Sequence, residues 1–454
     1  MTPKEAAVEV LKTLYKNNYR SYLVGGCVRD LILGREPKDY DITTEALPEQ
    51  VEAVFPKTVA VGKSFGVITV VMGDVNIEVA TFRSDGAYSD NRRPDSVTFT
   101  PSAADDVKRR DFTMNGLLCV GEADTSSVAN YETSLAGSNV HYTVQEGESP
   151  DGESHTYGIM DFVGGMDDIK ERKIRCIGDP NERFKEDALR MLRACRFAAQ
   201  LRFHIDDDTL LAIQENAALI TKVSVERIAV ELVKILTSPH PVNGLVPLVT
   251  TGLMEHLPFS EAIKKGLAYI LRRFGKFQTK DANLALAMFF AHTDPTMVRV
   301  DYLLKKVLKL SNDHVNAAAG ALDTLYDMLF AGLFNLKHAQ HRLKKMMRNP
   351  GAMLGVELLE QNLALNFPPF PDGDVKDFHS LIEYLRALTP EEINPPKFVT
   401  GEDLMAMGME PCREMGNILD DVEDMQLNGE LRDRTHALLV AERYVSDFKN
   451  GVLR

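Results

Sequence analysis

Residues 22–44 read YLVGGCVRDLILGREPKDYDITT. A short apolar strand, Tyr22 to Val24, runs into Gly25-Gly26, and a new element opens with Val28-Arg29-Asp30. Further on, Asp39 and Asp41 flank Tyr40. In a strand that spacing points both carboxylates to one face and turns the tyrosine away. Two neighbouring acids are costly unless a cation lies between them, and hard oxygen ligands suit Mg²⁺. A double glycine lets the backbone come close to a ligand, and the N–H groups opening a helix hold phosphate. A phosphate cradle beside metal carboxylates points to phosphoryl or nucleotidyl transfer.

Working outward, residues 20–120 mix β-rich runs with helical pieces. The run 61–83 predicts a hairpin: Val67 to Met72, a Gly73-Asp74 turn, then Val75 to Phe82. Residues 121–158 are rich in Ser, Gly and acids and hold no Lys or Arg, so they read as an exposed, mobile insertion. From Asp179 onwards apolar residues recur at i, i+3, i+4, the spacing of helices. The proline-rich FPPFPDGD (367–374) and Asn394-Pro395-Pro396 mark a boundary before a last helical unit.

At 454 residues the chain exceeds a single core, so several domains are expected. Its 44% hydrophobic and 26% charged content is that of a globular protein. No window approaches the length of an apolar transmembrane span. The first eighteen residues read as an amphipathic helix, with acids too early for a secretory signal. The five cysteines are scattered without a CxxC pair, which argues for reduced thiols, a cytoplasmic location and no zinc site. A net charge of −14 argues against general nucleic-acid binding, although a local basic face can hide in such a sum. Basic clusters occur at Lys108–Arg110, at Lys264-Lys265 with Arg272-Arg273, and from Lys337 to Arg348; each reads equally well as a solvated helix face.

Three further constellations bear on chemistry. Glu78 lies in the second hairpin strand, where a third carboxylate can join Asp39 and Asp41 from a neighbouring strand. Three acids suit a two-metal arrangement, whereas two acids in a loop are also compatible with simple solvation. The run RRDFTMNG (109–116) sets arginines beside an acid, a pattern that holds triphosphate oxygens and ribose hydroxyls. Its ordinary alternative is a helix cap at Asp111. The third is DPNERFKEDALRMLRACRFAAQLRF (179–203), which scans as one helix with Glu186, Arg190, Arg193 and Phe197 along one side. Asp187 and Arg190, three apart, offer an acceptor and a planar donor fork able to read the edge of a base, or else form an ordinary i, i+3 ion pair.

In this order the pieces resemble the class II tRNA nucleotidyltransferase and bacterial poly(A) polymerase family. The match rests on GGCVRD with DYD (25–41), RRDFTMNG, DFVGGMDDI (161–169) and RFKEDALRMLRACRFA (183–198). SVERI with Glu231 (224–231) looks like the family's next helical motif. The resemblance implies an α+β chain: a small mixed β-sheet nucleotidyltransferase head with flanking helices, then an all-α neck, body and tail. The corresponding domains are 1–178 for the head, including the insertion, then 179–250, 251–370 and 371–454.

The resemblance also implies roles. Asp39 and Asp41 would be the metal-binding catalytic pair, with Glu78 a third acid and Mg²⁺ the ion. Gly25, Gly26 and Arg29 would cradle the triphosphate, and Arg110, Asp111 and Asn115 would sense the ribose. Asp187 and Arg190 would select CTP and ATP, with Arg193 beside them. The implied activity is addition of CCA to the 3′ end of tRNA; A-adding, poly(A)-adding and catalytically inert tRNA-binding relatives are the alternatives. FRSDGAYSDNRRPDSV (82–97) looks like an intact flexible loop, which weighs against CC-only addition. Residues 398–431 resemble the tail of many CCA-adding enzymes, and the basic extension usual in poly(A) polymerases is missing. Lys264, Lys265, Arg272, Arg273, Lys344 and Lys345 are candidate RNA contacts, and neither a membrane nor a stable protein partner is expected. Gly116 stands where the family usually has Ala. AHTDPT (291–296) lacks the adjacent His-Asp pair of a phosphohydrolase, so no hydrolase site is expected.

Overall fold

The computed structural model describes residues 1–86, 94, 96–120, 141–148, 154–293, 299–330, 340–367 and 372–450. The centre of the 82–97 loop, residues 121–140 and 149–153 of the insertion, Asp294 and the middle of FPPFPDGD lie outside the described residues. The chain forms two compact units, Met1–Ser260 and Glu261–Arg454.

The first unit opens with helix α1 (Pro3–Lys16), started by a capping box in which Thr2 and Glu5 satisfy each other's backbone N–H. Its buried stripe, Ala6, Ala7, Val10, Leu11 and Leu14, is the apolar face expected of the amphipathic N-terminus. Strands β1 (Ser21–Val24), β2 (Asp41–Thr44), β3 (Thr58–Gly62), β4 (Val67–Met72) and β5 (Val75–Thr81) follow. Helix α2 (Gly26–Ile32) lies between β1 and β2. The β4–β5 hairpin has the predicted Gly73-Asp74 turn, with Gly73 at φ +62°, a region that favours glycine. Strands β6 (Arg83–Asp85) and β7 (Val97–Phe99) pair at the base of the 82–97 loop. Helix α3 (Ala103–Lys108) then leads to β8 (Leu118–Val120).

The insertion differs from its expected form. Strands β9 (His141–Glu148) and β10 (Ser154–Asp161) pair antiparallel, and β10 joins β8. The acidic stretch thus adds two strands to an eight-stranded sheet of order β3-β4-β5-β2-β1-β8-β10-β9. Composition hid them because a strand at a sheet edge owes its existence to pairing with a neighbour as much as to its own propensity. The pair β2–β5 is parallel and the other pairs of this sheet are antiparallel.

After the sheet come helices α4 (Gly165–Lys170), α5 (Pro180–Glu186), α6 (Leu189–Leu201) and α7 (Val225–Leu236). Cys27, Cys119, Cys176 and Cys195 are buried free thiols of this unit. The second unit is helical. Helix Ala282–Phe290 is buried along its length from Leu284, while helices Asn312–Phe330 and Ala352–Leu365 pack closely where Gly355 meets Ala321. Helices Gly401–Ala406, Arg413–Leu427 and Arg434–Lys449 share a separate core of Leu404, Ile418, Val422, Ala437 and Ala441. No helix is long and apolar enough to cross a membrane among the described residues.

Candidate active site

The sheet register assembles the acids. Val24, last residue of β1, lies opposite Asp41, and Asp41 lies opposite Glu78 across the parallel β2–β5 pair. Tyr40 is buried and its hydroxyl donates to Glu36 at 3.3 Å, while Asp39, Asp41 and Glu78 are exposed, as the i, i+2 alternation predicts. Gly25 follows the strand at φ +83°, and a Cβ there would sit 3.9 Å from Asp41 Oδ2, so the bare backbone passes directly beside the carboxylate. Asp41 opens to solvent yet is hemmed in by protein. Burial first, then the charge of Glu78 with Asp39 adding to it, pushes its carboxyl up to about 6 against the opposing charge of Arg110.

This hard-oxygen donor set with a surplus of negative charge fits a divalent cation. Among the described residues, however, no group of three or more His, Cys, Asp or Glu side chains is gathered to enclose one.

A polar chain leads from the cradle to the helical half of the unit. Arg29 is buried; its Nε and Nη2 donate to Asp30 at 2.9 and 2.8 Å, and Nη1 donates to Asn115 Oδ1 at 2.8 Å. Asn115 donates to Asp111 Oδ1 at 3.2 Å, and Arg193 Nε donates to Asp111 Oδ2 at 2.9 Å, with Nη2 on the same oxygen. Asp111 is thus the centre of an ion pair; the helix cap that its position allowed is not formed. Burial raises its pKa, but the Arg193 charge and hydrogen bonds outweigh this and hold it at about 2. The guanidiniums of Arg29, Arg193 and Arg196 lie 5.3, 5.6 and 4.3 Å from the Phe197 ring centre, a cation–π floor beneath the chain.

DFVGGMDDI acts as a scaffold. Asp161 accepts four backbone N–H groups, from Val163, Gly164, Gly165 and Met166, at 2.9–3.1 Å, which caps α4. Asp168 on α4 then accepts the Thr113 hydroxyl at 2.6 Å and so fixes the RRDFTMNG turn. Gly116 has a local reason: a Cβ would meet Val163, Val107 and Ile177 at 3.0–3.1 Å, so the space for an alanine methyl is filled.

The helix expected over 179–203 is broken. α5 ends with Asp187 in extended conformation (φ −144°), and α6 starts at Leu189. Asp187 and Arg190 therefore do not form their i, i+3 pair. Asp187 instead takes a fork from Arg227 on α7, at 2.7 and 3.2 Å. Arg190 donates to Glu186 at 2.6 Å and to the carbonyls of Arg183 and Arg109 at 3.2 and 3.1 Å. The SVERI helix adds a second tie, Arg196 to Glu231 at 3.0 Å, both buried. Arg227 is the arginine of SVERI, but its pairing with Asp187, forty residues away, carries no local signal in the sequence.

Arg110 and Arg109 converge on Asp106 of α3, at 2.8 and 2.6 Å. Beside them an open pocket of about 240 Å³ is lined by Ser84, Asp85, Asp105, Lys108, Arg109, Arg183 and Glu186.

The candidate RNA contacts divide. Lys264, Lys265 and Arg272 are exposed or half-exposed, Lys264 within 3.6 Å of Glu261. Arg273 is fully buried, its Nη2 on Asn362 and 3.3 Å from His292, so it cannot be a surface contact. The i, i+1 step from Arg272 turns it about 100° around the helix, into the core. Lys344 donates to the Leu427 carbonyl at 2.9 Å and Lys345 pairs with Asp424 at 2.6 Å, which commits both to holding helix Arg413–Leu427. His292 is half-buried beside the stacked rings of Tyr269 and Phe367, and burial followed by the Arg273 charge pushes its pKa down to about 3.

A strand, a double-glycine turn and facing acids, continued by an arginine-rich helical segment, define a nucleotidyltransferase head. Residues 21–131 match the model of the "Poly A polymerase head domain", and residues 202–263 match that of the "Probable RNA and SrmB- binding site of polymerase A". A CCA-adding enzyme of Levilactobacillus brevis is 33% identical over 439 residues, 96% of this chain and 97% of that protein. One from Lactiplantibacillus plantarum is 32% identical over 98% and 97%. The crystal structure of the Bacillus stearothermophilus CCA-adding enzyme in complex with CTP aligns with a TM-score of 0.70 at 29% identity, covering 99% of this chain and all of that one. The chain belongs to the CCA-adding enzyme family. Nucleotidyltransferases of this family generally use a divalent metal.

Proposed function

We propose that the chain adds C, C and A to the 3′ end of tRNA from CTP and ATP, without a nucleic-acid template and with release of pyrophosphate. The observation that carries this is the facing of Asp41 and Glu78 beside Gly25, in a chain matching a CCA-adding enzyme over nearly its whole length. Asp39 and Asp41, with Glu78 as a third acid, would hold divalent ions, taken as Mg²⁺. Such ions supply activation of the terminal tRNA hydroxyl and charge stabilisation as that oxygen attacks the α-phosphate. Gly25, Gly26 and Arg29 cradle the triphosphate, Arg110, Asp111 and Asn115 sense the ribose, and the Arg110 guanidinium also reaches triphosphate oxygens, as the arginine-and-acid pattern of RRDFTMNG allows. Asp187 and Arg190 present acceptor and donor groups to the base edge, and Arg193 holds Asp111 in place. Lys264, Lys265 and Arg272 bind phosphates of the tRNA.

On this reading residues 1–178 form the head, 179–250 the neck, 251–370 the body and 371–454 the tail, and the enzyme works in the cytoplasm. The test is extension, at single-nucleotide resolution, of tRNA ending at the discriminator base, with Mg²⁺ and CTP, ATP or both. Two C and one A followed by a stop is the expected product. Activity from ATP alone on tRNA ending in CC means an A-adding enzyme, a long A ladder on unrelated RNA means a poly(A) polymerase, and no product means an inert relative.

A further inference from the structure

Asp106 is fully buried, and its two oxygens accept from four residues. Oδ1 takes Arg109 Nε and Nη2 at 2.8 and 2.6 Å and the backbone N–H of Arg83 at 3.3 Å. Oδ2 takes Arg110 Nη2 at 2.8 Å and the Thr43 hydroxyl at 3.2 Å, a proton shared with the Ala80 carbonyl at 3.3 Å. A carboxylate has about four lone-pair sites, so this one is saturated and has nothing left for a ligand. Its partners come from three separate parts of the site. Thr43 lies on β2 two residues after Asp41, on the same face. Arg83 starts the strand that enters the 82–97 loop, and Arg109 with Arg110 opens RRDFTMNG. A solvated arginine must be ordered before it can hold an anion, whereas one braced by a buried carboxylate is ordered beforehand.

We infer that Asp106 is a positioning residue for the transfer reaction, holding the Arg110 guanidinium against β2 so that the triphosphate meets a preset cation. This rests on the reading of Arg110 as a phosphate-holding group. Asp106 touches no substrate; it acts through Arg110 and through the anchored start of the loop. Asp106→Asn keeps the shape of the side chain, removes its charge and turns an amide donor toward one of the guanidiniums.

The test is binding of magnesium pyrophosphate to the full chain by calorimetry, with steady-state kinetics for CTP and ATP alongside. In Asp106→Asn the pyrophosphate dissociation constant and both nucleotide KM values should rise about tenfold, while discrimination against UTP and GTP stays as in wild type. Asp106→Asn added to Arg110→Ala should bring little further loss, as expected for residues acting as a unit. A folded Asp106→Asn that binds pyrophosphate as wild type does overturns the inference. If Asp106→Asn lacks a cooperative melt, Thr43→Val removes one bond to the same oxygen and should weaken pyrophosphate binding about threefold; unchanged binding there also overturns it. If Arg110→Ala itself leaves pyrophosphate binding intact, the phosphate role of Arg110 falls. If Arg110→Ala weakens binding and Asp106→Asn does not, only the positioning role falls.

Discussion

Removing the carboxylates of Asp39 and Asp41 leaves the β2 ladder intact, since the strand is held by backbone pairs and by the buried Ile42, Thr43 and Thr44. The double variant Asp39→Ala, Asp41→Ala should therefore fold, bind tRNA with nearly wild-type affinity and add no nucleotide. Extension gels with parallel filter binding check this, and surviving incorporation would remove both residues from the reaction. Asp111 makes a different prediction. Its folded pKa of about 2 lies below the ordinary 3.8, so its ion pair with Arg193 stabilises the fold at neutral pH. That contribution, on the order of 2 kcal/mol, fades as the pH falls through about 4 toward 2. Thermal melts of wild type and Asp111→Asn should thus converge as the solution is acidified. A gap that stays constant down to that range would mean the pair contributes no pH-dependent stability.

Elements were legible where their signals are local. The N-terminal helix has its amphipathic stripe, the hairpin its Gly-Asp turn, and the acids their period of two. The alternation around Tyr40 and the change from mixed strands to helices followed from such patterns. Features made by distant partners were not legible. The strands within 121–158 exist by pairing with β8, and the side chains on Asp106 come from segments up to sixty-three residues apart in sequence. The break at Asp187 is only partly of this class: its side chain accepts the Leu189 N–H at 3.1 Å, a local start for α6, while the fork from Arg227 on α7 comes from far along the chain. On the proposed reading of Asp187 and Arg190 as the base-selecting pair, Arg227 on α7 bears on base choice although it belongs to another element. Arg227→Ala should relax discrimination between CTP or ATP and the other nucleotides, as Asp187→Ala and Arg190→Ala should, with a smaller effect on triphosphate affinity. Misincorporation assays with all four nucleotides would show it; unchanged selectivity in Arg227→Ala would reduce the α7 fork to a structural brace.

At the scale of the molecule, a net charge of −14 means that tRNA must be met by a local cationic surface. With Arg273 buried and Lys344 and Lys345 engaged with helix Arg413–Leu427, Lys264, Lys265 and Arg272 are left from the predicted set. Replacing Lys265 or Arg272 by Ala should reduce the slope of log affinity against log salt by about one for each phosphate that is no longer neutralised. Lys344→Ala should leave that slope unchanged and lower the melting temperature. A salt slope that moves only with Lys344 would reverse the assignment.

The distribution of thiols makes the chain its own reporter of which unit opens. Burial pushes the Cys27 thiol up to about 11 and those of Cys176 and Cys195 to about 12, and all three lie in the first unit, whereas Cys412 of the second is exposed. A short pulse of a thiol-specific alkylating reagent should mark Cys412 at once and the four buried thiols, Cys119 among them, only in molecules whose first unit has opened. Peptide mapping of the label against time would then give the opening rate of the catalytic half, with Cys412 as an internal standard for reagent exposure. Bound CTP should slow labelling at Cys176 and Cys195 without altering it at Cys412.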